Sequence, residues 1–159
     1  MMSNELPTRY EVMPTATIAD KVRAHVPLTV PLTVTAAPGK GLGATFDLAT
    51  ALADSGYRVV PHVAARMGSG RDELVDIVAR LKEHDISAIF VPAGDADPPA
   101  GAYHGAVDLL RDLEEIGHSF SHIGITGYPE SHPTIDDDIT VQAMWDKRHY
   151  ATHIVSNMT

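Results

Sequence analysis

The feature that most constrains what this chain can fold into is a rhythm: short apolar, β-branched runs recur roughly every 30 residues, the length of a βα unit. The runs are "LTVPLTVT" at 28 to 35, "YRVVPHV" at 57 to 63, "SAIFVP" at 87 to 92, "SHIGITGY" at 121 to 128 and "THIVSNM" at 152 to 158, with a shorter one, "RYEVMP", before them. Helical patterns lie between. Leu74, Ile77, Val78 and Leu81 fall at i, i+3, i+4 and i+7, which makes one buried stripe and leaves Arg71, Asp72, Asp76 and Arg80 to water. Val107, Leu110 and Leu113 repeat that spacing, and "GATFDLATALADSG" predicts an earlier helix that Gly56 closes. The aspartates of "TIDDDITVQAMW" suit a helix N-terminus. Strand and helix alternating in this way predict a parallel sheet.

Composition narrows the function classes. A length of 159 residues fits one domain with a sizeable core. The net charge is −9 and no basic run is present, so neither nucleic acid nor an anionic membrane is an expected partner. The chain has no cysteine, which removes disulfides, thiolate metal sites and a cysteine nucleophile. "MMSNELPTRY" lacks the basic and apolar regions of a signal peptide, and no apolar stretch is long enough to span a bilayer. A soluble, cytoplasmic protein is expected, with residues 1 to 8 as an N-terminal extension.

In parallel α/β folds the ligand meets the C-terminal ends of the strands. The predicted strand ends carry Glu11, Thr35, His62, Asp95, Tyr128 with His132, and Asn157. Each has a plainer reading. Gly94-Asp95 after a strand also makes an ordinary turn, and His62 also suits a satisfied core histidine. "APGKGLGAT" fits neither phosphate-loop pattern and reads as a turn leading into a helix. His149 and His153 stand at i, i+4, but no third ligand is spaced for them and His153 begins a strand, so no metal is expected. The shared position of the polar residues on strand ends, rather than any one of them, argues for a site.

"YEVMP", "VPHVAARM", "PAGDADPPAG" and "GYPESHP" occur in an order and spacing that resembles the methylenetetrahydrofolate reductases, from about residue 9 to residue 159. The resemblance implies a (βα)8 TIM barrel with FAD at its C-terminal mouth. The implied reaction reduces 5,10-methylenetetrahydrofolate to 5-methyltetrahydrofolate with electrons from NADH or NADPH. It makes Glu11 the general acid that opens the folate's five-membered ring, with partial burial expected to keep it protonated. Asp95 is implied beside the flavin pyrimidine and the pterin, where a negative charge stabilises a cationic intermediate. Thr35, His62, Gly94, Tyr128 and His132 are implied to line the flavin, and Lys147 lies near the family's phosphate-contacting lysine. Asn157 stands for a glutamine that hydrogen-bonds the pterin.

Two departures weaken the implied flavin site. The family's Arg-Gly-Asp is Ala93-Gly94-Asp95 here, and an aromatic residue on the adenine side is replaced by Gly105. An arginine to phosphate bond contributes roughly 1.5 to 3 kcal/mol and an aromatic stack roughly 0.5 to 1.5 kcal/mol. A third expectation concerns completeness. Six predicted strands are two short of a (βα)8 barrel, so the barrel is expected to be incomplete at its C-terminus, with self-association or a missing C-terminal part covering its raw edges. A non-catalytic folate- or flavin-binding barrel fragment with a role in assembly is the alternative function, and an open doubly wound sheet the alternative fold.

Overall fold

The computed structural model describes residues 9–37, 39–94, 96–127 and 150–156. Within them β1 (Tyr10–Val12), α1 (Ile18–His25), β2 (Leu32–Val34), α2 (Gly41–Asp54) and β3 (Val59–Pro61) are followed by a single 3₁₀ turn at Ala65–Met67. Then come α3 (Arg71–Glu83), β4 (Ala88–Val91), α4 (Ala106–Ile116), β5 (His122–Gly127) and β6 (His153–Ser156). Each strand lies inside one of the six apolar runs, and α2, α3 and α4 stand where the periodicity predicts them. The helix expected from "TIDDDITVQAMW" lies outside the described residues. Helix α1, absent from the sequence reading, is a short helix that buries Val22 and lays Ile18 and Ala19 against the core.

Helix α3 buries Leu74, Ile77 and Leu81 of the stripe read from sequence, and Val78, its fourth member, is half-buried against the same core. Arg80 departs from expectation. It is half-buried, and its guanidinium donates to Asp47 Oδ1 at 2.7 Å and to Thr50 Oγ1 at 3.3 Å on α2. His84 Nδ1 lies 2.7 Å from Asp54 Oδ1, and at the other end of α3 Arg71 donates to Glu115 Oε2 on α4 at 2.7 Å. Tyr103 donates to Asp112 Oδ2 at 2.8 Å; burial first, and this carboxylate second, push its hydroxyl pKa well up. The helices α2, α3 and α4 therefore stand side by side, and a continuous apolar core joins them to the strands.

All the pairings are parallel, in the orders β1-β2-β3 and β4-β5-β6. This corrects the expectation of a TIM barrel: the described residues form two three-stranded sheets, and neither is closed. Nor does the strand order reverse within either sheet, as a doubly wound sheet requires. The break between the sheets has a local cause. Backbone N–H groups point alternately to the two sides of a strand. His62 N–H donates to Val34 O on the β2 side at 2.8 Å, and Val63 N–H donates to Phe90 O on the β4 side at 2.8 Å. By that alternation position 61 also faces β4, and it is proline, which has no donor. Among the described residues the ladder between β3 and β4 is reduced to an isolated bridge, His62 to Phe90, although the two strands stay in contact.

Among the described residues no helix is long and apolar enough to cross a membrane.

Candidate functional site

The two faces of the strands differ in chemistry. On one face Leu32, Val34, Ile89, Val91 and Ile125 are essentially inaccessible, and the helices pack against this aliphatic layer. The register sets the other face. Glu11 stands opposite Thr33, and Thr33 opposite Val60. Two residues further along, His62 stands opposite Phe90, and Phe90 opposite Gly124. Side chains alternate along a strand, so Glu11, Thr33, Thr35, His62, Phe90 and Thr126 share a face. On this face Thr33 and Thr35 are buried, His62 and Phe90 are half-buried and Glu11 is exposed, so it is polar where the opposite face is aliphatic.

Three of the predicted site residues meet here. Thr35 is buried just past β2; its N–H donates to Val12 O at 3.0 Å, and its carbonyl accepts from Thr45 Oγ1 at 3.0 Å. His62 follows β3 directly, with its ring centroid 4.8 Å from that of Phe90 at an interplanar angle of 47°. Burial lowers its pKa from 6.5 to about 4, so the ring is neutral at physiological pH and offers one donor and one acceptor. Glu11, in the middle of β1, is exposed, so the burial expected to keep it protonated is not present. Two strand spacings and two residues along the strand put Glu11 and His62 roughly 12 Å apart. At that separation they do not bond to each other, and β2, with Thr33 and Thr35 on the same face, lies between them.

Gly94 has a backbone reason to be glycine. Its φ is +87°, and a Cβ there would lie 3.1 Å from Ala64 Cβ. Asp95, Tyr128, His132, Lys147 and Asn157 lie outside the described residues. Within "APGKGLGAT", Gly39 and Lys40 make the turn into α2, and Lys40 Nζ donates to Pro14 O at 2.9 Å, tying the exits of β1 and β2 together.

Two features escaped the sequence reading. Arg66, next to the β3 exit, donates from Nε to Ala96 O at 2.7 Å and from a terminal nitrogen to His104 O at 3.1 Å. Nothing in "VPHVAARM" distinguishes it from a solvated surface arginine, because its acceptors are backbone carbonyls some 30 residues or more away. The second is a cavity of about 760 Å³ at the opposite, N-terminal ends of the strands, lined by Val59, Val60, Ala88, Arg9, Arg58 and His122 among others. None of the predicted site residues lines it. Its walls also carry Asp54, Glu83 and Asp85, charges of both signs, and it marks where β3 and β4 part. Thr35 and His62, by contrast, stand just past the C-terminal ends of β2 and β3, the end where parallel α/β units favour ligands.

No protein-family model matches this chain.

Proposed function

We propose that this chain reduces 5,10-methylenetetrahydrofolate to 5-methyltetrahydrofolate with NADH or NADPH, as the methylenetetrahydrofolate reductases do. The observation that supports this reading most is the gathering of Glu11, Thr35 and His62 on one polar sheet face. The resemblance expects these residues around the reacting rings. In the proposed reaction the bound folate covers Glu11, which is exposed in the free chain, and this desolvation favours its protonated form. Glu11 then gives a proton to N10 as the bond from the bridging carbon to N10 breaks, which leaves an iminium at N5. Hydride from the nicotinamide then adds to the methylene carbon and makes it a methyl group. His62, neutral and tilted against Phe90, presents a hydrogen-bonding edge to a bound ring without adding a charge that would oppose the cation.

The turn after β4 does not suit a flavin diphosphate. The family's arginine is Ala93, whose carbonyl accepts from Arg66 N–H at 2.8 Å, and the Arg66 guanidinium is engaged by Ala96 and His104. A phosphate would meet no free cation at this turn among the described residues. The proposed hydride therefore passes directly from nicotinamide to folate, with FAD weakly bound or absent. An acidic chain without cysteine, acting on a folate, also suits the cytoplasm.

The test follows nicotinamide absorbance with methylenetetrahydrofolate present, with no flavin added. The expected outcome is turnover that Glu11→Gln reduces by about 10² to 10⁴ while the fold is retained. Full turnover in that variant would remove Glu11 from the mechanism. Folate binding without turnover in the parent chain would replace the enzyme by a folate-binding module.

A further inference from the structure

Residues 92 to 105 connect β4 to α4, and those described hold no helix or strand. A connection of this length in a compact α/β unit usually carries function, and it costs conformational entropy to hold in one shape. Here much of that holding falls to one residue. Arg66 donates its backbone N–H to Ala93 O at 2.8 Å, and its carbonyl accepts from Ala100 N–H at 2.8 Å. Its side chain donates to Ala96 O at 2.7 Å and His104 O at 3.1 Å, and a terminal nitrogen lies 3.5 Å from Asp97 Oδ1. The guanidinium side chain is only 24% exposed.

Neighbouring contacts agree with this. Ala65 N–H donates to Pro92 O at 3.0 Å, and Gly101 passes so close to the Ser69 carbonyl that no Cβ would fit. Only a planar fork with several fixed donors reaches separated carbonyls in this way; a lysine ammonium is a single point of donation. The segment pinned begins one residue before Gly94, on the side of the β3 exit where His62 stands.

We propose that Arg66 is a positioning residue, which clamps the β4–α4 connection against the β3 exit and thereby fixes one wall of the site. Its catalytic consequence rests on the folate reductase reading above, whereas the clamp itself does not.

The experiment compares the full chain with Arg66→Ala and Arg66→Lys by amide hydrogen exchange, thermal unfolding and nicotinamide-dependent folate reduction. In Arg66→Ala, exchange across residues 94 to 104 should rise at least about tenfold while α1 and α2 keep their protection, the signature of local rather than global opening. Arg66→Lys should recover part of the protection. Turnover should fall in kcat more than in KM, and more than any fall in Tm accounts for. Unchanged exchange at 94 to 104, or a uniform rise over the whole chain, overturns the clamp. If Arg66→Ala does not fold, Arg66→Lys decides, since full protection there would show that the fork is not needed. A local rise in exchange without turnover in the parent chain leaves the clamp standing and removes the folate reading. Loss of turnover with unchanged exchange does the reverse.

Discussion

His62 keeps a neutral ring because its surroundings replace water with the Phe90 face and the strand edges, and burial lowers its pKa from 6.5 to about 4. The unfolded chain takes up a proton near pH 6.5 and the folded chain only near pH 4, so acid favours unfolding across that interval. The associated stability is complete above about pH 6.5 and is lost as pH falls to about 4. Because the ring is partly open to solvent, the loss is at most about 2 kcal/mol after allowing for screening. Urea unfolding at pH 7 and at pH 4.5 should therefore show a smaller acid loss in His62→Gln than in the parent chain. Equal losses would mean that the ring titrates normally. The imidazole at a strand exit was legible in "VPHV", whereas its neutrality follows from burial in the folded chain, where Phe90, 28 positions away, packs against it.

At the scale of elements, the places of the strands and of three helices were legible because each depends on a pattern inside a short window. Where one sheet stops and the next begins was also written locally, in Pro61, although the apolar run around it reads as an ordinary central strand. A proline inside a strand marks an edge, and here it withholds a donor that would have faced β4, next to the Val63 N–H that does reach Phe90 O. Pro61→Val supplies that donor. The expected outcome is a slowly exchanging amide at position 61, with Tm changed by less than about 2 °C, since one gained hydrogen bond and the lost rigidity of proline nearly cancel. A rapidly exchanging amide at 61 would show that something other than the missing donor holds the sheets apart.

At the scale of the whole molecule, each sheet has an outer strand. Among the described residues β1 pairs with β2 alone, and it carries Tyr10, 47% exposed, beside Met13, 56% exposed. An uncovered strand with apolar side chains is a template for pairing with another chain. We expect concentration-dependent self-association through this edge, and Tyr10→Lys should weaken it by placing a solvated charge there. Light scattering that is independent of concentration, or is the same in both proteins, would show that the β1 edge does not pair.

The alternation of strand and helix, the stripe of α3, part of that of α4 (Leu110 and Leu113, whereas Val107 is half-buried and Ala106 and Leu109 complete it) and the polar character of the strand exits could be read from the sequence. These follow from propensity and periodicity, which act over a few residues. Only the tertiary structure decided that two unclosed sheets replace a barrel, that Arg80 is drawn onto α2, that Glu11 is exposed, and that Arg66 clamps a distant connection. Those outcomes depend on which donors find acceptors across some 30 residues of chain. Residues far apart in sequence meet only when packing has paid the entropy of closing the chain between them, and no local pattern records which partners that packing brings within reach.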